Sequence, residues 1–455
     1  MVRFGCLGGV GGWWVWGCRG GVVCGWWGQD GGMRSMIPDY VRQICETCSD
    51  AWLAGENAHY IPELAKQDPS LFGVALSTVD GQVYAVGDTE VEFTIQSISK
   101  PFVYAMALVD RGLPELAAYI GVEPSGEAFN ELSLDLGSKR PLNPMINAGA
   151  LTAHALVGGV GDGADARFER IRAGMSAFAG RELSLDQAVF ESELQTAYRN
   201  RALANMLRGY EVLPDEPEDV VRGYTMQCAL RVTVRDLALM AATLANGGVP
   251  PLTGEQVVLA PVVRQVMSVM FACGMYDEAG EWITSVGIPA KSGVGGGIIG
   301  ALPGQLGVAT LSPPLDAHGN SVRGVEVFQR LSGDMGMHLM EVPPPAMSVV
   351  RFAGPVRVVG GVVFVYDLQG ALRFAAVERV VRMVSEAGPS ERTVVFDLID
   401  VPQLDDVARR MLLELARRMT LEGYDVWWVG WRGPVPWPGE GGSLRLADSL
   451  DEVVL

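Results

Sequence analysis

Two short blocks of apolar, β-branched residues stand far apart in this chain, with a long helical pattern between them. The first, Phe72 to Val86, turns over Asp80-Gly81, a pair favoured in tight hairpins. The second holds Gly297 to Leu302 and Gly307 to Leu311, around Pro303-Gly304. From about 101 to 285 the pattern is mostly helical. It is broken by stretches rich in Gly, Pro and Asn over Gly121 to Ala150 and Val157 to Ala164. Loops of that kind often line sites. A hairpin before the helices and strands after them predict one sheet built from both ends, with a helical insert. The catalytic cleft is expected between sheet and insert.

The stretch Thr94-Ile95-Gln96-Ser97-Ile98-Ser99-Lys100-Pro101 follows the hairpin and holds the only Ser-x-x-Lys of the chain. If a helix starts here, Ser97 and Lys100 share one face. A lysine shielded from water beside a serine can lose its charge and take the hydroxyl proton. Pro101 fits only if it falls in the first helical turn, or if the helix kinks there. One Ser-x-x-Lys arises easily by chance, so its neighbours decide. Asn143-Pro144-Met145-Ile146-Asn147-Ala148-Gly149-Ala150 puts an amide side chain before small residues. Ser192-Glu193 is followed seven residues later by Asn200. Pro289-Ala290-Lys291-Ser292-Gly293-Val294-Gly295-Gly296-Gly297 is a Lys-Ser-Gly run into glycines.

At 455 residues the chain is too long for one ordinary domain, and two are expected. The net charge of −18 argues against nucleic acid and anionic membrane as partners, and suits small-molecule substrates. Seven cysteines form no disulfide framework. Cys45 and Cys48 make a lone Cys-x-x-Cys, read as packing, while Cys228 and Cys273 are isolated in apolar context. A cytoplasmic home follows from that usage. Four scattered histidines predict no metal site, and no cofactor is called for. Residues 1–32, Gly- and Trp-rich without a period, read as disordered or as translation from an upstream start codon, with Met33 or Met36 the expected start. A secretory signal is the weaker alternative. No run reaches the roughly 18 to 20 apolar residues of a membrane span.

The remaining expectations concern elements. Residues 37 to 56 read as an amphipathic helix, and Pro62 as the start of a short one. Glu341-Val342-Pro343-Pro344-Pro345 reads as a stiff linker, bounded as 341–346. Beyond it alternate a strand (Val362 to Leu368), a helix (Phe374 to Ala387), a strand (Thr393 to Leu398), a helix (Gln403 to Glu422), a strand (Tyr424 to Val429) and a short last helix (Ala447 to Val453). That alternation predicts a small α/β domain over 347–455.

Lys-Ser-Gly on a strand beside a Ser-x-x-Lys helix resembles the serine β-lactamase and penicillin-binding fold, an α/β (α+β) architecture. A closer resemblance is to the glutaminase family. It rests on Gln96 to Lys100, Leu142 to Ala150, Cys273-Gly274-Met275-Tyr276-Asp277 and Pro289 to Gly297, in the family's order, over about Ile37 to Met340. The resemblance implies a glutaminase domain over 33–340 that hydrolyses L-glutamine to L-glutamate and ammonia through an acyl-enzyme on Ser97. Lys100 would be the general base, with Tyr60 and Tyr276 moving protons and positioning the side-chain amide. Asn147, Glu193, Asn200, Tyr224 and Tyr276 would hold the substrate. The Val294 and Ser97 backbone N–H groups would form the oxyanion hole. A homodimer or homotetramer is implied as well. Taken singly, Tyr224 and Tyr276 fit half-buried aromatics, Asn147 a turn residue, Asn200 a cap and Glu193 a helix-surface charge; the ordered joint match favours a site. Two other readings stay open: a β-lactamase or D-alanyl peptidase-like hydrolase, and a non-enzymatic glutamine sensor.

The last domain resembles a STAS domain, the fold of anti-sigma-factor antagonists and of the cytoplasmic tails of sulfate transporters. The carrying residues are Val394 to Leu398, Val401 to Ala408 and the long helix after them. The resemblance implies a regulatory module that docks a protein or a small ligand. No Ser or Thr occurs from Val394 to Met419, so a serine phosphoswitch is absent there. Asp405 or Asp406 stands in that place, as a fixed phosphate mimic or as an ordinary helix-dipole partner.

Overall fold

The structure, a computed structural model, describes residues 37–126, 131, 134–159, 161–341, 349–431 and 444–453. The expected N-terminal extension 1–32 and the prolines of the expected linker lie outside those residues. The chain divides between Glu341 and Val342 into two compact units.

The first unit opens with α1 (Ile37–Thr47) and the hairpin β1 (Gly73–Thr78) and β2 (Val83–Gly87). There follow β3 (Phe93–Thr94), α2 (Ser99–Arg111), α3 (Leu113–Tyr119), α4 (Asn147–Ala155), α5 (Ala164–Ala179), α6 (Gln187–Thr196), α7 (Tyr198–Gly209) and α8 (Pro217–Cys228). It closes with β4 (Arg231–Val232), α9 (Val234–Ala245), α10 (Ala260–Cys273), α11 (Ala279–Ser285), β5 (Ala290–Gly293), β6 (Gly297–Leu302), β7 (Leu306–Leu311) and α12 (Val322–Met335).

An antiparallel sheet runs in the order β2-β1-β7-β6-β5, with Gly73 opposite Leu311. The period of two along each strand sorts its side chains onto two faces. Val74, Leu76, Ile298 and Val308 pack with Val41 and Ile44 of α1 and with Val327, Phe328 and Leu331 of α12. Ala75, Ile299, Ala301 and Ala309 face the other way, into a core that includes Leu237, Ala238 and Ala241 of α9. Small residues here let α9 come close: a Cβ on Gly307 would stand 2.2 Å from the Ala242 backbone nitrogen. Because a helix backbone cannot step aside, Gly307→Ala is expected to cost at least about 2 kcal/mol, read as a lowered denaturant midpoint.

Three expectations in this unit need correction. The helix expected over 37–56 ends at Thr47, and a 3-10 turn follows at Ala51–Ala54. The chain leaves the helix because Glu56 pairs with Leu315, and Gly55 lies against the Leu315 backbone. The helix expected after Pro62 is only a 3-10 turn, Leu64–Lys66. The stretch from Gly121 to Ala150 is not one loop, since α4 already begins at Asn147. Cys48 is buried between α1 and the sheet, with Cys45 packed beside it. Burial pushes the two thiols up, to about 11 and about 12. That chemistry suits packing rather than redox work.

The second unit holds β8 (Val350–Val358), β9 (Gly361–Gln369), α13 (Phe374–Ala387), β10 (Thr393–Asp400), α14 (Asp406–Leu421), β11 (Asp425–Val429) and β12 (Leu444–Ala447). Its sheet order is β12-β11-β10-β9-β8, parallel except for the β8–β9 hairpin. Val394, Phe396 and Leu398 pack with Val377 and Val380 of α13 and Leu412 of α14, while Val395 joins Val363, Val365 and Val429 on the opposite face. The sequence pattern misses β8, where Gly354 and Pro355 hide an edge strand. The last helix expected over Ala447 to Val453 is instead strand β12 and a 3-10 turn, Leu450–Glu452, because Leu444–Ala447 pairs with Val426–Val429. Helix α14 starts at Asp406, later than expected, since Leu404 bridges to Leu372 and the Asp405 side chain caps the helix by accepting from Ala408 N–H at 2.7 Å. Among the described residues no helix is long and apolar enough to cross a membrane.

Candidate active site

The site begins where the short β3–β4 pair ends. Ile95 N–H donates to the Leu230 carbonyl at 2.9 Å, which ties the approach to Ser97 to the helical insert. Gln96 follows with φ of 51°, left-handed backbone that non-glycine residues rarely adopt. It opens a single 3-10 turn, Gln96–Ile98, that runs into α2 at Ser99. Ser97 therefore sits in the turn ahead of the α-helix, and Lys100 is its second residue. Pro101 falls in the first helical turn, where no intrahelical N–H bond is due, so its presence needs no kink.

Lys100 is 1 % exposed. Its Nζ donates to Asn147 Oδ1 at 2.8 Å and to the Met145 carbonyl at 3.1 Å. Burial pulls the amine down to about 8, against the upward pull of Cys228 and Glu193. The loop that supplies both acceptors explains its own residue types. Asn143 Oδ1 accepts from the N–H groups of Met145 (3.0 Å) and Ile146 (3.2 Å). A Cβ on Gly149 would lie 1.9 Å from the Asn143 carbonyl oxygen, so only glycine fits there. Asn147, the first residue of α4, donates from Nδ2 to Asn200 Oδ1 at 3.0 Å.

Glu193 lies on α6 and Asn200 on α7, with the break between the helices at Ala197. Gln96 Nε2 donates to Glu193 Oε2 at 3.2 Å. Burial pushes the Glu193 carboxyl up to about 7, with the Gln96 bond and the Lys100 charge acting against it. The facing wall is β5. Cβ atoms on Gly293 and Gly295 would meet the carbonyl oxygens of Ile95 at 3.1 Å and Thr94 at 2.9 Å, so this strand end lies backbone to backbone on the Ser97 turn. Val294 stands between those glycines and lines the cavity. Gly274, in the Cys-Gly-Met-Tyr-Asp stretch, abuts the Ala290 carbonyl, where α10 meets β5.

Tyr276 has φ of 56° and donates its hydroxyl to the Ser292 carbonyl at 3.2 Å. The same hydroxyl is hydrogen-bonded to Ser97, and burial pushes the phenol up to about 12. Lys291, fully buried, donates to the Ser292 carbonyl at 2.7 Å and lies 3.9 Å from the Tyr276 ring centre. Tyr224 on α8 is buried. Tyr60 is 54 % exposed as a residue, yet its hydroxyl end lies in the cavity, where burial, and then the nearby Tyr276, Glu193 and Cys228, raise the phenol well above its ordinary value.

A cavity of about 400 Å³ gathers Tyr60, Ser97, Asn147, Glu193, Asn200, Tyr224 and Val294, with Lys100 and Tyr276 bonded to Asn147 and Ser97 on its walls. All nine residues singled out by sequence thus meet at one place. The cavity also includes Gln96 and Cys228, whose roles were not read from sequence. Gln96 lay within the quoted motif, and Cys228 stands four residues after Tyr224 on the same helix face. Among the described residues no cluster could hold a metal ion.

A cavity with a depressed amine, a raised carboxyl and a serine on a strained turn suits nucleophilic acyl chemistry on a small ligand that bears a positive charge. The glutaminase family profile matches residues 55–340. The glutaminase of Corynebacterium glutamicum is 50 % identical over 390 residues, which cover 86 % of this chain and 93 % of that one. That match is longer than the first unit, so it runs into the second. The crystal structure of Mglu superposes with a TM-score of 0.79 at 45 % identity, over 93 % of this chain and 100 % of that one. Mglu in its glutamate form gives 0.78 at 44 %, over 87 % and 98 %. With half its residues shared across nearly all of a curated relative, and the same fold carried through both chains, this chain belongs to the glutaminase family.

Proposed function

We propose that the chain hydrolyses the side-chain amide of L-glutamine to L-glutamate and ammonia through an acyl-enzyme on Ser97. The observation that carries the mechanism is the setting of Lys100. A neutral amine has two N–H bonds and one lone pair. The Met145 carbonyl and Asn147 Oδ1 take the two N–H bonds. In its neutral form the buried amine carries a lone pair, which takes the Ser97 hydroxyl proton. Ser97 Oγ then attacks the amide carbon, and the oxyanion is met by the backbone N–H groups of Ser97 and Val294. The C–N bond breaks as the nitrogen gains the proton that Lys100 took from Ser97, handed on by way of the Tyr276 hydroxyl beside Ser97, so ammonia leaves and Lys100 is neutral again. Water then attacks the acyl carbon as it gives a proton to Lys100, and that proton returns to Ser97 Oγ as glutamate leaves. Glu193 holds the α-ammonium. Asn200, with Oδ1 already taken by Asn147, offers its amide nitrogen to the α-carboxylate beside Asn147 and Tyr224. The glutamate form of Mglu supports a product of this kind in a relative.

Ammonia release from L-glutamine, followed with rapid-quench mass spectrometry of the peptide carrying Ser97, tests this reading. Turnover with a transient glutamyl adduct on Ser97 supports it. Turnover of a chromogenic β-lactam without glutamine turnover, or calorimetric glutamine binding without turnover, would replace it. L-Asparagine, one methylene shorter, misplaces the amide and is expected to lose about 100-fold or more in kcat/KM.

The pH profile has a sign. Glu193 must be ionised to take the ammonium, and Lys100 must be neutral to take the proton. Both forms gain as pH rises, so kcat/KM should climb through a limb between about 7 and about 8. Bound substrate keeps Glu193 ionised, so kcat should retain only the Lys100 limb. Glu193→Gln should erase the lower step and raise KM at least about 100-fold, for loss of a buried charge partner.

The second unit is proposed as a STAS-like module that docks a protein or small ligand and tunes the enzyme, which works as a cytoplasmic homodimer or homotetramer. Its support is the alternation of strands and helices and the capped start of α14. Removing 342–455 is expected to change kinetics or assembly, read by steady-state assay and light scattering; unchanged values in both would end the idea.

A further inference from the structure

A chain of buried polar side chains runs away from the cavity and has no part in the mechanism above. Ser99 Oγ donates to the Gln96 carbonyl at 2.8 Å. Gln227 Nε2 donates to Ser99 Oγ at 2.9 Å, and Gln227 Oε1 is 2.8 Å from His154 Nδ1. Ser99, Gln227 and His154 are fully buried. The direction of every bond follows from the first. The Gln96 carbonyl can only accept, so Ser99 must give it the hydroxyl hydrogen. Ser99 Oγ must then accept from Gln227, which turns the Gln227 oxygen toward His154 and fixes the proton on Nδ1. His154 Nε2 is buried with no partner among the described residues. Burial pulls the ring down to about 3, so it stays neutral and this tautomer persists. The ring also packs edge-on against Tyr224, centroids 6.5 Å apart, while a Cβ on Gly223 would strike it. The Cys228 thiol lies near both Ser99 and Tyr224.

We infer that His154, Gln227 and Ser99 form a one-way hydrogen-bond relay of positioning residues that holds the left-handed Gln96 peptide, and so aims Ser97 and its backbone N–H at the scissile amide. This rests on the proposed Ser97 chemistry. The strained residue is otherwise held by its side chain, through Glu193 and Thr94, and by the Ser99 backbone N–H, which donates to the same Gln96 carbonyl. The Gln96 carbonyl belongs to the peptide whose N–H is that of Ser97. Rotation of that one peptide would therefore turn the oxyanion donor away from the cavity. The substrate contacts of Glu193, Asn147 and Asn200 lie elsewhere and would survive.

Two variants test the relay. Ser99→Ala removes the bond to Gln96 with little change in volume. Gln227→Glu keeps the shape but reverses the polarity: its carboxylate accepts from both His154 and Ser99, which draws the Ser99 hydrogen off the Gln96 carbonyl. Each is expected to lower kcat about 10- to 100-fold with KM for L-glutamine within about twofold. The double variant should lose no more than Ser99→Ala alone, and Ser99→Thr should restore part of kcat. A kcat for Ser99→Ala within about threefold of the parent, or losses that multiply in the double variant, would overturn the relay. If Gln227→Glu fails to fold, the kcat and KM of Ser99→Ala, with its rescue by Thr, decide alone. Ser97→Ala run alongside separates the cases: loss of turnover there with normal Ser99→Ala sinks the relay but not the acyl-enzyme.

Discussion

Ser97→Ala is expected to lower ammonia release from L-glutamine about 10⁴-fold or more, with binding of L-glutamate kept within a few-fold. In the proposed mechanism the side chain lost is the nucleophile, so no proton transfer can replace it. The backbone is retained: Ala fits the 3-10 turn Gln96–Ile98, and the Ser97 N–H stays in place. The fold loses one hydrogen bond, that with the Tyr276 hydroxyl. Stability should therefore move by no more than about 1 kcal/mol. Rate assays on the variant, with calorimetry of L-glutamate binding, read the two halves separately. Retained turnover would remove Ser97 from the chemistry.

Lys100→Met should lower kcat about 10³-fold, the scale of a lost general base, but with a second signature. The methionine fills the volume yet leaves Asn147 Oδ1 and the Met145 carbonyl without their donor. Asn147 then loosens against Asn200, so KM should rise as well, which Ser97→Ala does not do. Stability gives an independent readout. The folded chain holds Lys100 at about 8, below the ordinary 10.5, so between those values the unfolded chain binds the extra proton. The parent therefore gains stability as pH rises from 8 to 10.5 and carries the full penalty below 8. Methionine has no such term. Relative to the parent, the variant should gain about 3 kcal/mol on going from pH 10.5 down to pH 7, measured by denaturant titration at both ends.

Much of the site was legible because its chemistry is bound to residue types that nothing else satisfies. Gly149 and Gly274 are glycines since neighbouring carbonyls occupy the space of a Cβ, and such positions print themselves into a motif. The sheet was legible from its β-branched runs, and the alternation of the second unit from its change of period. What stayed hidden had no local signal. Strands β3 and β4 are two residues each, too short for any period, yet they aim the Ser97 turn. Neither glutamine nor tyrosine announces left-handed backbone, so the residue types at Gln96 and Tyr276 carry no mark of their conformation. Ser99, Gln227 and His154 are single polar residues on separate helices, and only the fold brings them into line.

The sheet that joins both ends of the first unit also sets a timetable for its synthesis. Strand β1 pairs on one side with its hairpin partner and on the other with β7, whose Leu311 is made 238 positions after Gly73. At roughly 5 to 20 residues per second, that edge waits roughly 12 to 50 seconds for its partner. During the interval a strand of Val74, Ala75 and Leu76 offers unpaired backbone to any neighbouring nascent chain. Polysomes crowd such edges together. Ser97 emerges early but lacks the facing wall of its cavity until β5 is made. Cooler growth or added holdase chaperones would act on that window rather than on the finished enzyme.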